Sequence, residues 1–187
     1  MKKYPEKKYP TIGVCGLDCG LCPRFYTAGP SRCPGCAGQN FFNKHPSCSF
    51  ITCAVREKGL EVCSECTVFP CSRFRSEAEY QQIKESSSYP SCKSIISNLI
   101  FIKEYGIEKF IMLQDNRIRL LKILLRDFDD GRSKSFFCKS AGLIDLPVLE
   151  GTLSAARLEI KRQNIQQENF KSKAKIIRNL LNENYKV

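Results

Sequence analysis

Histidine is nearly absent from this chain: of 187 residues only His45 carries an imidazole. No Ser–His–Asp set is suggested around it, and neither a GxGxxG run nor a phosphate-loop signature is present. An enzyme is therefore poorly supported. Long apolar runs are lacking too. The most apolar stretch, Ile118 to Leu125, is interrupted by Arg119 and Lys122. A membrane helix needs ~20 apolar residues, so no span and no membrane partner are expected. The opening MKKYPEKKYPTIGV has lysines but no apolar run behind them, unlike a secretory signal. The expected location is cytoplasmic, where thiols stay reduced. Strand-like alternation is missing from the second half, which sets aside a sheet there.

What the chain has in quantity is cysteine. Ten of its twelve cysteines lie between Cys15 and Cys71, in the runs CGLDCGLC, CPGC, CSFITC and CSECTVFPC. Cys33-Pro34-Gly35-Cys36 places two sulfurs two residues apart across a tight turn, the spacing of a tetrahedral metal site. Cys63-Ser64-Glu65-Cys66 is a second such pair and Cys19–Cys22 a third. Cys48 and Cys53 are spaced more loosely around Ile51, and Cys71 follows Phe69-Pro70. The simplest partition is two four-sulfur sites. One would use Cys33, Cys36, Cys48 and Cys53. The other would pair Cys63 and Cys66 with Cys19 and Cys22, with Cys15 or Cys71 able to replace a member. Two structural Zn²⁺ ions are the expected cofactors. Six candidates for four places also admit a third ion or a 4Fe–4S cluster. His45, between Lys44 and Pro46, reads as an exposed turn before it reads as a ligand.

Disulfides would need an oxidising compartment, and ten clustered cysteines are not explained as buried thiols. That bland reading does serve for Cys92 and Cys138, which stand singly on helical patterns. The CxxxCxxC spacing of Cys15, Cys19 and Cys22 is also that of radical S-adenosylmethionine enzymes, but the alternating strands and helices those enzymes need do not follow.

Around this region the chain reads as mainly α: an irregular, metal-stabilised Cys-rich amino-terminal region over 1–90, then a helical half over 91–187, packed as one body. Residues 1–12, rich in Lys, Tyr and Pro, read as an extended, solvated arm. A short helix is expected from Cys19 to Thr27 and another from Ser76 to Ser86, with the run SSSYP ending at Pro90 as the boundary. Ile95, Leu99 and Ile102 mark a helix stopping at Gly106. Phe110, Leu113 or Gln114, Ile118, Leu121, Leu125 and Phe128 mark a second, ended by Asp129-Asp130-Gly131, and a short apolar segment runs from Phe136 to Leu143. Asp145-Leu146-Pro147 starts a further helix, with Asp as cap and Pro in the first turn. A long amphipathic tail follows, carrying Leu149, Leu153, Ala156 and Ile160, then Phe170, Ala174, Ile177 and Leu181.

The formal net charge is +11; eight thiolates on two Zn²⁺ would lower it to about +7. Residues 151–187 hold eight Lys or Arg against three Glu, and Lys171, Lys175 and Arg178 share a helical face. That face suits nucleic-acid phosphates, although few aromatics are placed for base stacking. Three functions are therefore carried forward. The first is a zinc-stabilised module binding a protein partner, the second an iron–sulfur protein in electron transfer or cluster handling, and the third a nucleic-acid binder acting through its basic tail.

The order of motifs resembles the cysteine-rich family known as domain of unknown function 3795. The residues that carry the resemblance are Cys15 through Cys22, Cys33 through Cys36, Cys48 to Cys53, and Cys63 through Cys66 to Phe69-Pro70-Cys71, with a further likeness at Asp130 through Cys138. The likeness spans about residues 13 to 150 and leaves the basic tail outside. It implies a metal-binding region and supplies no activity.

Overall fold

The computed structural model describes residues 5–43, 45–74 and 95–184. The helix expected over Ser76–Ser86, the boundary at Pro90, Lys186 and Cys92 lie outside the described residues. Among the described residues the chain is mainly helical and has no strand. It divides into two compact units, 1–114 and 115–187.

The first unit has a Cys-rich part of tight turns and two long-helix segments. Pro23 has no amide hydrogen to continue a helix from Cys19, so the expected single helix becomes two 3₁₀ turns, Cys19–Leu21 and Pro23–Tyr26. Another 3₁₀ turn covers Phe41–Asn43, a π-helix covers Ile51–Glu57, and a last 3₁₀ turn covers Cys63–Glu65. Helix α1, Ile95–Tyr105, stops where Gly106 adopts φ +86°. Helix α2, Ile107–Asp127, begins in this unit and ends in the second.

Residues 5–12 are not a solvated arm. Lys7 is 6% exposed and Ile12 is fully buried. The Lys7 amide donates to Ala37 O at 3.0 Å, and the amides of Lys8 and Tyr9 donate to the two Glu61 carboxylate oxygens at 2.7 and 3.0 Å. Sequence composition misled here because the segment's acceptors lie 30 to 53 residues away and its one fully buried apolar residue is Ile12.

The core of this unit joins its two parts. Ile12, Val14, Ile51, Val55, Val62 and Phe69 are buried in one cluster with Leu99, Ile102, Ile107 and Phe110 from the helices. Phe41, Phe42, Phe50 and Leu60 pack against it half-buried. Phe25 and Tyr26 pair edge-to-face with each other. Polar clamps add direction. Asn98 Nδ2 donates to Gly16 O at 2.9 Å, and Gln114 Nε2 donates to Thr11 O at 3.0 Å and to the buried Asp18 carboxylate at 2.6 Å.

The second unit is a helical assembly of the carboxyl-terminal part of α2 with α3, Lys134–Leu143, α4, Leu146–Arg162, and α5, Phe170–Asn184. Its buried side chains include Leu121, Leu124, Phe128, Phe137, Cys138, Leu149, Leu153, Ala156, Ile177 and Leu181. Leu124 takes the buried place expected for Leu125. Arg117 Nη1 donates to Ala141 O and Ile144 O at 2.7 and 2.8 Å, occupying carbonyls at the end of α3. Asp145 stands at the cap position of α4, but its side chain makes no capping bond; its carbonyl accepts the Leu149 amide. The amphipathic tail is two helices packed on each other, α4 and α5, and Asn164 at φ +50° turns the chain between them. No helix among the described residues is long and apolar enough to cross a membrane.

Candidate functional site

The segment from Lys7 to Val14 is the spine of the Cys-rich part, because backbone bonds tie three of the four cysteine runs to it. Pro10 O accepts the Cys36 amide at 2.9 Å, Thr11 O the Gly20 amide at 2.7 Å, and Val14 O the Cys63 amide at 2.8 Å. The Cys33–Cys36 turn can approach this closely because Gly35, at φ +89°, has no side chain; a Cβ there would overlap Pro10 O. Gly35→Ala should destabilise the chain by about 2–3 kcal/mol, positive φ adding ~1–2 of it. Gly59→Ala is the control: φ is +67° with open space around it. Chemical denaturation should rank the two, and equal losses would show that the close approach is unimportant.

The structure groups the sulfurs differently from the partition that spacing suggested. Cys53, Cys63, Cys66 and Cys71 line one cavity of about 30 Å³, together with Phe50, Phe69 and Phe74. Cys53 thus stands with the last three cysteines and apart from its expected partners, and neither Cys22 nor Cys33 reaches this cavity. Lys58 Nζ donates to Cys66 Sγ at 2.9 Å. That ammonium, helped by the Val68 amide, holds the Cys66 thiol below its ordinary range. Burial does the opposite to Cys63, pushing it up to about 12, with Cys15, Cys71, Cys53 and Cys66 as its sulfur neighbours. Glu65 Oε2 accepts the amides of Glu61 and Val62 at 2.8 and 3.4 Å and fixes the start of the Cys63–Cys66 turn.

A second group surrounds Lys7. Burial lowers the Lys7 ammonium from its ordinary range, against the upward pull of Cys36, Glu61, Cys19 and Cys15. Burial raises all three of those thiols, Cys15 to about 11. The nearby backbone amides of Leu17, Cys36 and Val14 pull these thiols the other way, on Cys15, Cys19 and Cys36 in turn. Cys48, exposed, is a neighbour of both Cys15 and Cys36. His45 is half-buried and stacks on Phe41 with ring centroids 4.8 Å apart.

No disulfide joins the described cysteines. Among the described residues no three Cys, His, Asp or Glu side chains stand close enough to hold one ion. The sulfurs are gathered into neighbourhoods without meeting at one point, and Lys58 donates to one of them, Cys66. Residues 11–76 match the family described as Protein of unknown function (DUF3795). The match takes in all ten clustered cysteines and stops before α1, so the further likeness at Asp130–Cys138 falls outside it. No curated protein and no solved structure matches the chain. The spine residues Lys7 and Tyr9 and the helical partners Leu99, Phe110 and Gln114 also fall outside the DUF3795 match, although they pack on or bond to it.

The sequence reading missed Lys7 and Lys58. Lys58 had a signal, a cation five residues after Cys53 and five before Cys63. Lys7 had none beyond its nearness to Cys15. The basic tail is partly occupied: Arg157 pairs with Asp127 at 3.4 Å, Arg162 with Glu159 at 2.7 Å, and Arg178 lies over the Phe136 ring. Lys173, 7% exposed, donates to Gln167 O.

Proposed function

We propose that the DUF3795 region binds metal through thiolates and that its first site is the cavity of Cys53, Cys63, Cys66 and Cys71. The observation that supports the reading is that these four cysteines all line one small apolar-walled cavity. A cavity of about 30 Å³ suits a single ion or water and is far below the few hundred Å³ of a small-molecule site. An eight-atom 4Fe–4S cube would have to enlarge it. Zinc is the favoured ion because four sulfur donors match its tetrahedral preference. The reading asks the side chains to turn in on the ion while the hydrogen-bonded backbone stays in place. Zinc held by four thiolates has no open position, so it would shape a surface for a protein partner and catalyse nothing.

Elemental analysis of protein purified without oxygen tests this. Zinc in whole-number ratio to the chain is expected, with one equivalent lost in Cys63→Ser and in Cys66→Ser. Iron with acid-labile sulfide would favour a cluster instead. Protein that holds no metal after anaerobic reconstitution with Zn²⁺ or Fe²⁺ and sulfide would end the metal reading.

A further inference from the structure

We propose that helix α4 pairs antiparallel with α4 of a second copy of this chain, through an outward face centred on Gly151 and Leu158. The pairing uses neither the cysteines nor a metal, so it stands apart from the function proposed above.

Helix α4 is uncharged on two sides. Leu149, Leu153 and Ala156 are buried on one. On the opposite side Pro147, Gly151, Ser154 and Leu158 recur at 4, 3 and 4 residues, all exposed, with Val148 and Ala155 widening one edge. Leu158 is 70% exposed, more than any other large apolar side chain among the described residues. A surface helix ordinarily carries its charges opposite the core. Here Glu150 and Arg157 stand along the other edge of the face, and Lys161 at its carboxyl end. A single exposed leucine is unremarkable; an uncharged face three turns long is not.

Gly151 is a separate observation. Glycine is the poorest helix former apart from proline, and this one sits mid-helix with nothing beyond its own helix within 4 Å of where a Cβ would stand. No crowded neighbour requires it within one copy. The hollow it leaves is matched by the leucine seven residues on. A two-fold axis near Ser154 sets Leu158 of each copy on Gly151 of the other. Ser154 donates its hydroxyl to Glu150 O at 3.1 Å, so it brings no unpaired donor into the contact.

Charge selects the occupant and its direction. The face has an acid, Glu150, towards its amino end and bases, Arg157 and Lys161, towards its carboxyl end. It is therefore complementary to itself when reversed. In the antiparallel pair Glu150 lies beside Arg157 and Lys161 of the second copy, whereas parallel packing would set each charge against its own kind. Antiparallel helices also oppose their dipoles. Glu150 Oε1 accepts Arg119 at 2.8 Å and Arg157 lies 3.4 Å from Asp127. Each contact uses one oxygen and one nitrogen, which leaves further acceptors and donors for a partner. Such exposed pairs set orientation more than affinity. A face of three turns buries less than the ~1,200 Å² of a standard interface, so the dimer is a weak one, dissociating at about 10–500 µM.

Sedimentation equilibrium of the full chain tests this, with a thiol reductant present so that disulfides cannot join copies. The average mass should rise with concentration from 21.3 kDa towards twice that value. Leu158→Glu and Gly151→Gln should each raise the dissociation constant at least about ten-fold. Gly151→Gln should do so without lowering the thermal midpoint, because the added side chain meets open space in the single copy. Glu150→Lys should weaken the dimer, and adding Lys161→Glu to it should restore association. A mass that stays at 21.3 kDa up to about 1 mM overturns the self-pairing, whether or not a different protein occupies the face. Association indifferent to both Leu158→Glu and Gly151→Gln overturns the choice of face. Failure of Lys161→Glu to rescue Glu150→Lys overturns the antiparallel direction.

Discussion

A chain ending at Pro90 should fail to fold even when saturated with zinc. Such a fragment keeps every clustered cysteine and all of residues 11–76. It loses Leu99, Ile102, Ile107 and Phe110, which are buried against Ile12, Val14, Val62 and Phe69. Burying one such side chain contributes roughly 1.5–3 kcal/mol, so the four together represent about 6–12 kcal/mol. That is comparable with the whole stability of a typical domain, about 5–15 kcal/mol. The fragment also loses Gln114, leaving the buried Asp18 carboxylate without that donor. Heteronuclear spectra with zinc present should stay collapsed for the fragment and dispersed for the full chain. A dispersed, cooperative fragment would mean that metal alone organises the Cys-rich part.

The stability of the protein should depend on pH with opposite sign in its metal-free and metal-loaded forms. In the metal-free form, burial raises Cys15 from an ordinary value of 9.0 to about 11 and Cys63 to about 12. The folded state then holds protons that the unfolded state releases above pH 9. Stability is full below that point and is lost as pH rises through the folded values. Each thiol contributes a slope of about 1.4 kcal/mol per pH unit, so the pair gives close to ~3 kcal/mol per unit between pH 9 and 11. In a form loaded with zinc at the proposed site, Cys63 would be a thiolate, and its effective folded value would fall far below 9. Stability is then full at alkaline pH and is lost on acidification as protons displace the ion. Urea titrations at pH 6, 8 and 10, with and without chelator, read both signs. A metal-free protein that gains stability from pH 8 to 10 would contradict the burial of these thiols.

The helical half was open to reading from residue pattern. Gly106 stops α1 and Pro147 opens α4 because each has a backbone property that no neighbour can supply. The stripe through Phe110, Ile118 and Leu121 is buried as its spacing requires, and of the two residues that spacing left open Gln114 is buried and Leu113 exposed. The Cys-rich part was less open, since spacing sees only neighbours in sequence. Cys33 and Cys36 form a pair that any reader finds, whereas Cys53 meets Cys63, Cys66 and Cys71 only through the π-helix Ile51–Glu57 and the turn after it. Nothing local announces that wrap. Lys7 failed for a related reason: lysine is almost always exposed, and its burial depends on Ala37, Ile12 and the sulfurs being assembled around it.

The spine also sets an order of events during synthesis. Thr11 waits for Gln114, which leaves the ribosome 103 residues later. At ~5–20 residues per second that delay is about 5 to 20 seconds. Throughout the interval the nascent cysteines are accessible to oxidants and to whichever cation arrives first. If the region binds metal as proposed, growth conditions that alter metal supply during translation should change which ion is recovered with the protein.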